Sequence, residues 1–392
     1  MNFQIPNDVL FILDRLESRG FTADIVGGSV RDLLLGRSPD DYDITTSARP
    51  EEIKAAFADL RTIDTGIKHG TVGILLGGKV YETTTYRVDG EYKDARHPES
   101  VFFTRDIVED LARRDFTINS MAYSPKNGLT DPFDGQNDLA KGIIRAVGDP
   151  MLRFSEDALR ILRGIRFAAT FGFEIEPMTS ASLREKAKLL SNVSAERIYV
   201  ELRKTFDKPH SYGVVSEYSG VILSVMAGLD SLVLPEKDAY DSADYMSRIL
   251  SVFFLSSENP SHAFDIFATT LKTDSHFRRL GGQVLMAVGR YDLTDSLGLT
   301  KCLRDNGEEA TIGLVNLEKT LGHNADSDLL SKLLNSGVCY RISDLKVGGA
   351  DMKNIGLTGP KIGEALDRLL TAVIEGRVEN EREALIEFLK TN

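Results

Sequence analysis

The chain has no tryptophan, only two cysteines and only six histidines among 392 residues. Cys302 and Cys339 form no metal-type spacing, so buried, reduced thiols of a cytoplasmic protein are the simplest reading. Long apolar runs are also missing. None approaches the roughly 18 residues that a membrane-spanning helix needs. The densest stretches, Val221–Leu229 and Ile249–Leu255, read as buried helix segments. The first residues carry no basic flank ahead of an apolar block, so no signal peptide is expected. Internal repeats and low-complexity tracts are absent.

Positive charge is in deficit as well. Lys plus Arg number 47 against 59 Asp plus Glu, a net charge of −12. That balance argues against a nucleic-acid partner until its distribution is considered. From Lys141 to Lys204 there are 12 Lys plus Arg and 8 Asp plus Glu, a local excess of positive charge. A basic strip of this kind can bind phosphate on an otherwise acidic chain, with modest, salt-sensitive affinity.

What is present is a soluble globular composition, 42% hydrophobic and 27% charged, at a length that implies two or three domains. The first 150 residues read as mixed α/β. Asn7–Arg19 has helical periodicity and stops at Gly20. Phe21–Val26 is β-prone, Gly27-Gly28 breaks it, and Val30–Leu35 is helical again. Tyr42–Thr45 reads as a strand, and Pro50-Glu51-Glu52 opens a helix. Thr71–Leu76 and Lys79–Tyr86 form a hairpin around Gly77-Gly78. Arg87–Ser100 is polar and aperiodic, a long loop of the kind that is often functional. After Asp149-Pro150 helical periodicity dominates, with breaks at Pro209 and near 256–261 and 323–327.

Two patterns carry chemistry. Gly27-Gly28-Ser29-Val30-Arg31-Asp32 lies between a strand and a helix, where glycine lets phosphate come close to backbone N–H groups and Arg31 adds a cation. Asp41-Tyr42-Asp43 follows. On a strand, residues i and i+2 share a face, so both carboxylates would aim at one point, and hard oxygen ligands of this type suit Mg²⁺. Alone, a D-x-D is more often a solvated acidic turn. Beside a phosphate cradle it reads as apparatus for phosphoryl or nucleotidyl transfer. Glu82 on the hairpin is a candidate third carboxylate, with a plain surface glutamate as the equal alternative.

Gly27-Gly28 through Asp41-Tyr42-Asp43 resembles the nucleotidyltransferase signature of the DNA polymerase beta superfamily. Arg113-Arg114-Asp115-Phe116-Thr117-Ile118-Asn119, Asp131-Pro132-Phe133-Asp134-Gly135 and Glu156-Asp157-Ala158-Leu159-Arg160 follow in order. Ser194-Ala195-Glu196-Arg197-Ile198 with Glu201-Leu202-Arg203-Lys204 completes the series. Together they resemble the bacterial-type (class II) CCA-adding enzymes of the tRNA nucleotidyltransferase/poly(A) polymerase family. The segment Leu345–Leu369 is similar to the family tail, less specifically.

The resemblance implies an α+β nucleotidyltransferase head followed by an all-α neck, body and tail. The expected bounds are a catalytic head at 1–148, a nucleotide-selecting neck at 149–205, a body at 206–337 and a tRNA-binding tail at 338–392. Asp41 and Asp43 are the expected catalytic metal ligands, holding Mg²⁺. Gly28, Arg31, Arg114, Asp157, Arg160, Arg163 and Arg166 are the expected nucleotide-binding residues, and Asp115 is implied in selecting ribose.

Asp157 and Arg160, spaced i, i+3 on an expected helix, would be neighbours. An Asp accepting from an exocyclic amino group beside an Arg donating to the ring can imitate a Watson–Crick partner for C and A while rejecting U and G. By the same helical count each three-residue step drifts about 60°, so Arg166 would lie about half a turn from Asp157, where it could reach phosphate by its length or face the RNA or a neighbouring carboxylate.

The expected partners are CTP, ATP and the tRNA 3′ end and acceptor stem. No membrane and no protein partner is implied, and a homodimer is left open. The resemblance implies an intact loop here for adding the terminal A, so Arg87–Ser100 leans towards full CCA addition, whereas His97 within it has no obvious catalytic partner. No histidine is followed by Asp, which argues against the phosphohydrolase domain of some relatives. The alternatives are a poly(A) polymerase, a CC-only or A-only enzyme, and a catalytically inactive RNA-binding module.

Overall fold

The computed structural model describes residues 3–64, 66–90 and 101–391. The chain divides into two compact units, Met1–Val225 and Met226–Asn392. The division falls inside the segment 206–337 expected to be one helical body.

In the first unit the strands run β1 (Ala23–Val26), β2 (Ile44–Thr46), β3 (Thr62–Ile63), β4 (Thr71–Leu76), β5 (Lys79–Thr85), β6 (Arg87–Asp89), β7 (Val101–Phe103), β8 (Ala122–Ser124) and β9 (Gly128–Thr130). Seven of them form one mixed sheet in the order β3-β4-β5-β2-β1-β8-β9. β1 is buried along its whole length because it has a strand on each side. Its one charged residue, Asp24, is accommodated by a hydrogen bond from the Tyr86 hydroxyl at 2.8 Å. Burial pushes the Asp24 carboxyl above its ordinary range. β4 and β5 form the expected hairpin, with Gly77 and Gly78 both at positive φ in the two-residue turn that matches strand twist. The helix Asn7–Glu17 buries Val9, Ile12, Leu13 and Leu16, one stripe at helical spacing.

Three expectations need correction here. The second strand begins at Ile44, so Asp41-Tyr42-Asp43 precedes it rather than lying within it. The polar stretch Arg87–Ser100 is not all loop: Arg87–Asp89 pairs antiparallel with Val101–Phe103. His97 and the rest of 91–100 lie outside the described residues. After Asp149-Pro150 one strand persists, Glu174–Ile175, paired parallel with Ile143–Ile144.

Otherwise the rest of this unit is helical. The helix Pro150–Glu156 ends, and Leu159–Phe171 begins after a two-residue break. Leu159–Phe171 buries Ile161, Leu162, Ile165, Ala168 and Ala169, and packs against Ala195–Phe206. Gly164 sits on this helix where it meets Phe116. A Cβ at Gly164 would lie 3.0 Å from the Phe116 ring, so the absent side chain sets how closely the helix approaches the sheet domain. That approach places Arg160 and Arg163 beside Arg113 and Asp115.

The second unit is helical throughout its regular structure. Ile249–Leu255 lies within the helix Tyr245–Ser256, as expected of a buried apolar run. Phe253, Phe264, Phe267 and Phe277 pack edge-to-face or tilted against one another in its core. The expected breaks near 256–261 and 323–327 both fall between helices. A separate cluster of Met352, Leu366, Leu369, Leu370 and Leu385 forms the core of the C-terminal segment. Cys302 is buried and Cys339 half-buried, both as free thiols. No described helix is long and apolar enough to cross a membrane.

Candidate active site: an arginine-lined cavity beside paired aspartates

The chain leaves β1 at Val26 and turns through Gly27 into the helix Gly28–Leu34. Gly27 has φ +73°, and a Cβ there would come within 3.0 Å of an Arg114 guanidinium nitrogen. Glycine is therefore needed twice over, for conformation and for space. Ser29, one residue into the helix, is buried. Its hydroxyl donates to the Asp41 carbonyl at 2.9 Å and accepts from the Asp43 N–H at 3.3 Å. The Val26 N–H donates to the Asp43 carbonyl at 3.0 Å.

Around this turn are five arginines, each with a defined anchor. Arg31 donates to Asp32 and, at 2.6 Å, to Asn119, and its guanidinium lies over the Phe171 ring. Burial draws Arg31 below the usual arginine value. Arg113 and Arg114, just past the end of the helix Ile107–Ala112, both bind the fully buried carboxylate of Asp110, three and four residues back. Burial pushes that carboxyl up, but the two guanidinium groups outweigh it and hold it below the ordinary range. Burial lowers Arg114, and its Nε is buried without a hydrogen-bond partner among the described residues.

Asp115 receives the Phe116 N–H, the Asn119 amide and a double contact from Arg163 at 2.7–2.8 Å. Burial opposes ionisation of Asp115, yet Arg163 and Asn119 bring its carboxyl down to about 2. Because the folded value is depressed, this pair stabilises the fold fully above the ordinary carboxylate range. Its contribution fades only as pH falls towards 2. The melting-temperature gap between wild type and Asp115→Asn should accordingly be flat from pH 8 to about 5 and narrow below about 4. A gap that closes near neutrality would contradict the pairing.

The neck residues depart from expectation. Asp157 is not on a helix with Arg160. It has extended backbone in the break between Pro150–Glu156 and Leu159–Phe171. One carboxylate oxygen accepts the Leu159 N–H at 3.1 Å and the other accepts from Arg197 at 3.1 Å. The carboxylate therefore pairs with Arg197, not Arg160. Arg160 is buried and donates to Glu156, to the Arg153 carbonyl and, at 3.0 Å, to the Arg113 carbonyl. Arg166 pairs with Glu201 at 2.6 Å over the Phe167 ring, the neighbouring-carboxylate outcome that helical drift allowed.

Gly27, Gly28, Arg31, Asp43, Arg113, Arg114, Asp115, Asn119, Asp157, Arg160, Arg163 and Phe167 enclose one cavity of about 410 Å³. Every residue expected to bind nucleotide lines it except Arg166. Asp43 also lines a second cavity of about 910 Å³, shared with Asp41, Tyr42, Lys79 and Glu82. Asp110 lies outside every recognised motif. Arg113, Asn119, Glu156 and Arg197 stood inside them, but nothing in their spacing showed which residues they would contact.

The aspartate pair suits a hard divalent cation. Loss of water around Asp43 pushes its carboxyl above the ordinary range, Arg114 opposes this, and the like charge of Asp41 adds to it. A cation between the two would relieve both penalties. Parallel pairing of Ile44 with Thr83 brings Glu82 alongside Asp43 in register. Among the described residues, however, no group of three or more carboxylate, histidine or cysteine side chains stands in ligating reach.

Residues 23–145 match the Poly A polymerase head domain, and residues 172–217 match a probable RNA- and SrmB-binding site of polymerase A. Residues 248–389 match a putative tRNA nucleotidyltransferase domain 2. With the mixed sheet and the glycine turn, these matches define a nucleotidyltransferase head followed by helical modules.

The CCA-adding enzyme of Streptococcus suis is 38% identical across 98% of this chain and 96% of its own length. That of Limosilactobacillus fermentum is 37% identical across 96% and 94%. The Bacillus stearothermophilus CCA-adding enzyme in complex with CTP superposes with a TM-score of 0.77 at 31% identity, covering 97% of each chain. Thermotoga maritima CCA-adding enzyme complexed with tRNA-CCA shares the fold, with a TM-score of 0.70 at 21% identity over 99% of this chain and 96% of that one. The chain belongs to the CCA-adding enzyme family.

Proposed function

We propose that this protein adds C, C and A to the 3′ end of tRNA from CTP and ATP, releasing pyrophosphate, without a nucleic-acid template. The observation that carries this reading is a single arginine-lined cavity in which Asp157 and Arg160 stand together with Asp43. The triphosphate would lie among Arg31, Arg114 and Arg163 beside Gly28, with Asp41 and Asp43 at its reacting end. Asp41 and Asp43 would hold divalent metal, which we take to be Mg²⁺ from the hard oxygen donors. The chemistry that bound Mg²⁺ supplies is activation of the RNA 3′-hydroxyl and neutralisation of the departing pyrophosphate. The 3′ oxygen attacks the α-phosphorus, the bond to the β-phosphate oxygen breaks, and the hydroxyl proton passes to solvent.

Base choice would rest with Asp157 and Arg160. Each oxygen of Asp157 keeps a lone pair beyond its bond to Leu159 or Arg197 and can accept an exocyclic amino group. Among the described residues, the partners of Arg160 occupy both N–H groups of Nη1 and one of Nη2. Nε–H and the second Nη2 N–H are left to donate to a ring nitrogen and a carbonyl oxygen. Cytosine and adenine offer an amino group beside an acceptor; uracil and guanine offer the reverse. Asp115 would monitor the ribose from its Arg163 clamp. Arg166 would act at a distance, steadying the helix through Glu201.

The helical remainder would hold the tRNA by backbone shape. The separate C-terminal core supports a tail module at 338–392, with the head at 1–148, neck at 149–205 and body at 206–337 as the subdivision. We place the reaction in the cytoplasm.

The test supplies purified protein and Mg²⁺ with tRNA transcripts ending before, within and after CCA, using CTP, ATP or both. Sequenced 3′ ends should read CCA and stop. Long A tails would make it a poly(A) polymerase, and arrest at CC with ATP present would make it a CC-adding enzyme.

A further inference from the structure

We propose that Ser29 is a positioning residue that keeps the Asp41 and Asp43 carboxylates on one face. The inference rests on the reading of those aspartates as metal ligands. In a strand, residues i and i+2 send their backbone groups to the same neighbour and their side chains to the same face. Asp41 and Asp43 have this spacing, yet the β2 ladder starts only at Ile44.

The neighbouring strand explains the gap. β1 pairs with β2 as far as Ile25 opposite Ile44, and the Val26 N–H reaches the Asp43 carbonyl. One residue later the chain turns away at Gly27 into the helix. Among the described residues, no backbone bond from β1 reaches the Asp43 N–H or the Asp41 carbonyl.

The Ser29 hydroxyl takes over both. It accepts from the Asp43 N–H at 3.3 Å and donates to the Asp41 carbonyl at 2.9 Å. One side chain thus continues the ladder for two residues past the end of the strand. It holds the two backbone groups whose common direction puts both carboxylates on the same side. Ser29 is 4% exposed and absent from the lining of either cavity, so it touches no ligand and acts through the aspartates. It also ties the glycine turn, where the triphosphate would sit, to the aspartate segment.

The test compares wild type with Ser29→Ala, which removes the hydroxyl, Ser29→Thr, which keeps it, and Asp41→Ala. Two quantities are read: Mn²⁺ affinity of the RNA-free protein by water proton relaxation, and kcat and KM for CTP on a tRNA lacking CCA. Ser29→Ala should weaken Mn²⁺ binding and lower kcat by about 3- to 12-fold, the scale of one or two lost hydrogen bonds, with KM for CTP within about twofold. Ser29→Thr should restore both.

Mn²⁺ binding that is lost in Asp41→Ala but unchanged in Ser29→Ala would overturn the role of Ser29 alone. Mn²⁺ binding unchanged in Asp41→Ala would overturn the metal reading and this inference with it. A lower melting temperature in Ser29→Ala with unchanged Mn²⁺ affinity would mark a merely structural contact, and would also overturn it.

Discussion

Asp41→Ala or Asp43→Ala should abolish addition of both C and A, lowering kcat by about a thousandfold or more, while tRNA binding stays within about twofold. The size follows from the charge at stake. Loss of one hard ligand removes several kcal/mol of charge stabilisation at the reacting phosphate, and about 4 kcal/mol is three orders of magnitude in rate. The selectivity of the defect follows from geometry. Asp41 and Asp43 both line the larger cavity, whereas Asp157 and Arg160 line only the smaller one, which Asp43 joins to it. Both nucleotides must pass the same carboxylates, so C and A addition should fall together. Asp43→Ala also removes an anion beside Arg114, and CTP should then bind no more weakly than before. Rapid-quench assays on tRNA ending before and within CCA, with filter binding of the same tRNA, check this. Turnover retained in both variants would remove the metal role.

Asp157→Ala should relax base choice rather than abolish turnover. A paired contact of this kind is worth about 1–3 kcal/mol, so discrimination against UTP and GTP should fall by about 5- to 150-fold. The substitution has a second effect that sequence alone does not reveal. It removes the carboxylate that accepts the Leu159 N–H at the start of the helix, worth about 1 kcal/mol, and it strands Arg197. Asp157→Asn separates the two effects. Its carbonyl oxygen can keep the Leu159 bond while its amide presents N–H where the carboxylate accepted. A loss of selectivity shared by Ala and Asn belongs to base reading; a loss of stability confined to Ala belongs to the cap.

This residue also marks the limit of what the sequence discloses. The glycine turn, the hairpin around Gly77-Gly78, the helices and the order of motifs all come from local signals: periodicity, turn residues and short patterns. The spacing of Asp157 and Arg160 suggested neighbours on one helix, which holds only if the helix is continuous. Its break was legible in principle, because an Asp two residues ahead of an apolar helical run is a capping signal. The partner was not. Arg197 lies 40 residues from Asp157, and Arg163 lies 48 from Asp115. Periodicity assigns a residue to a face but says nothing about which distant face meets it.

Asp41 and Asp43 were found by pattern and misplaced onto a strand, since the strand that would carry them begins only at Ile44. Their common face survives through Ser29, a residue that local pattern gave no reason to single out. Arg166 is the reverse case: helical drift alone set it apart from Asp157, with a carboxylate partner as one of three open outcomes.

In the proposed function one cavity, built only from protein, reads both cytosine and adenine. Equilibrium displacement of a fluorescent CTP analogue from the RNA-free protein by CTP, ATP, UTP and GTP tests it most directly, in wild type and in Asp157→Ala. The account predicts that CTP and ATP each displace the analogue completely and compete with one another. UTP and GTP should be weaker by about 5- to 150-fold in wild type, and the gap should close in Asp157→Ala. If ATP failed to displace the analogue, or if all four nucleotides bound wild type alike, the cavity would not be the template.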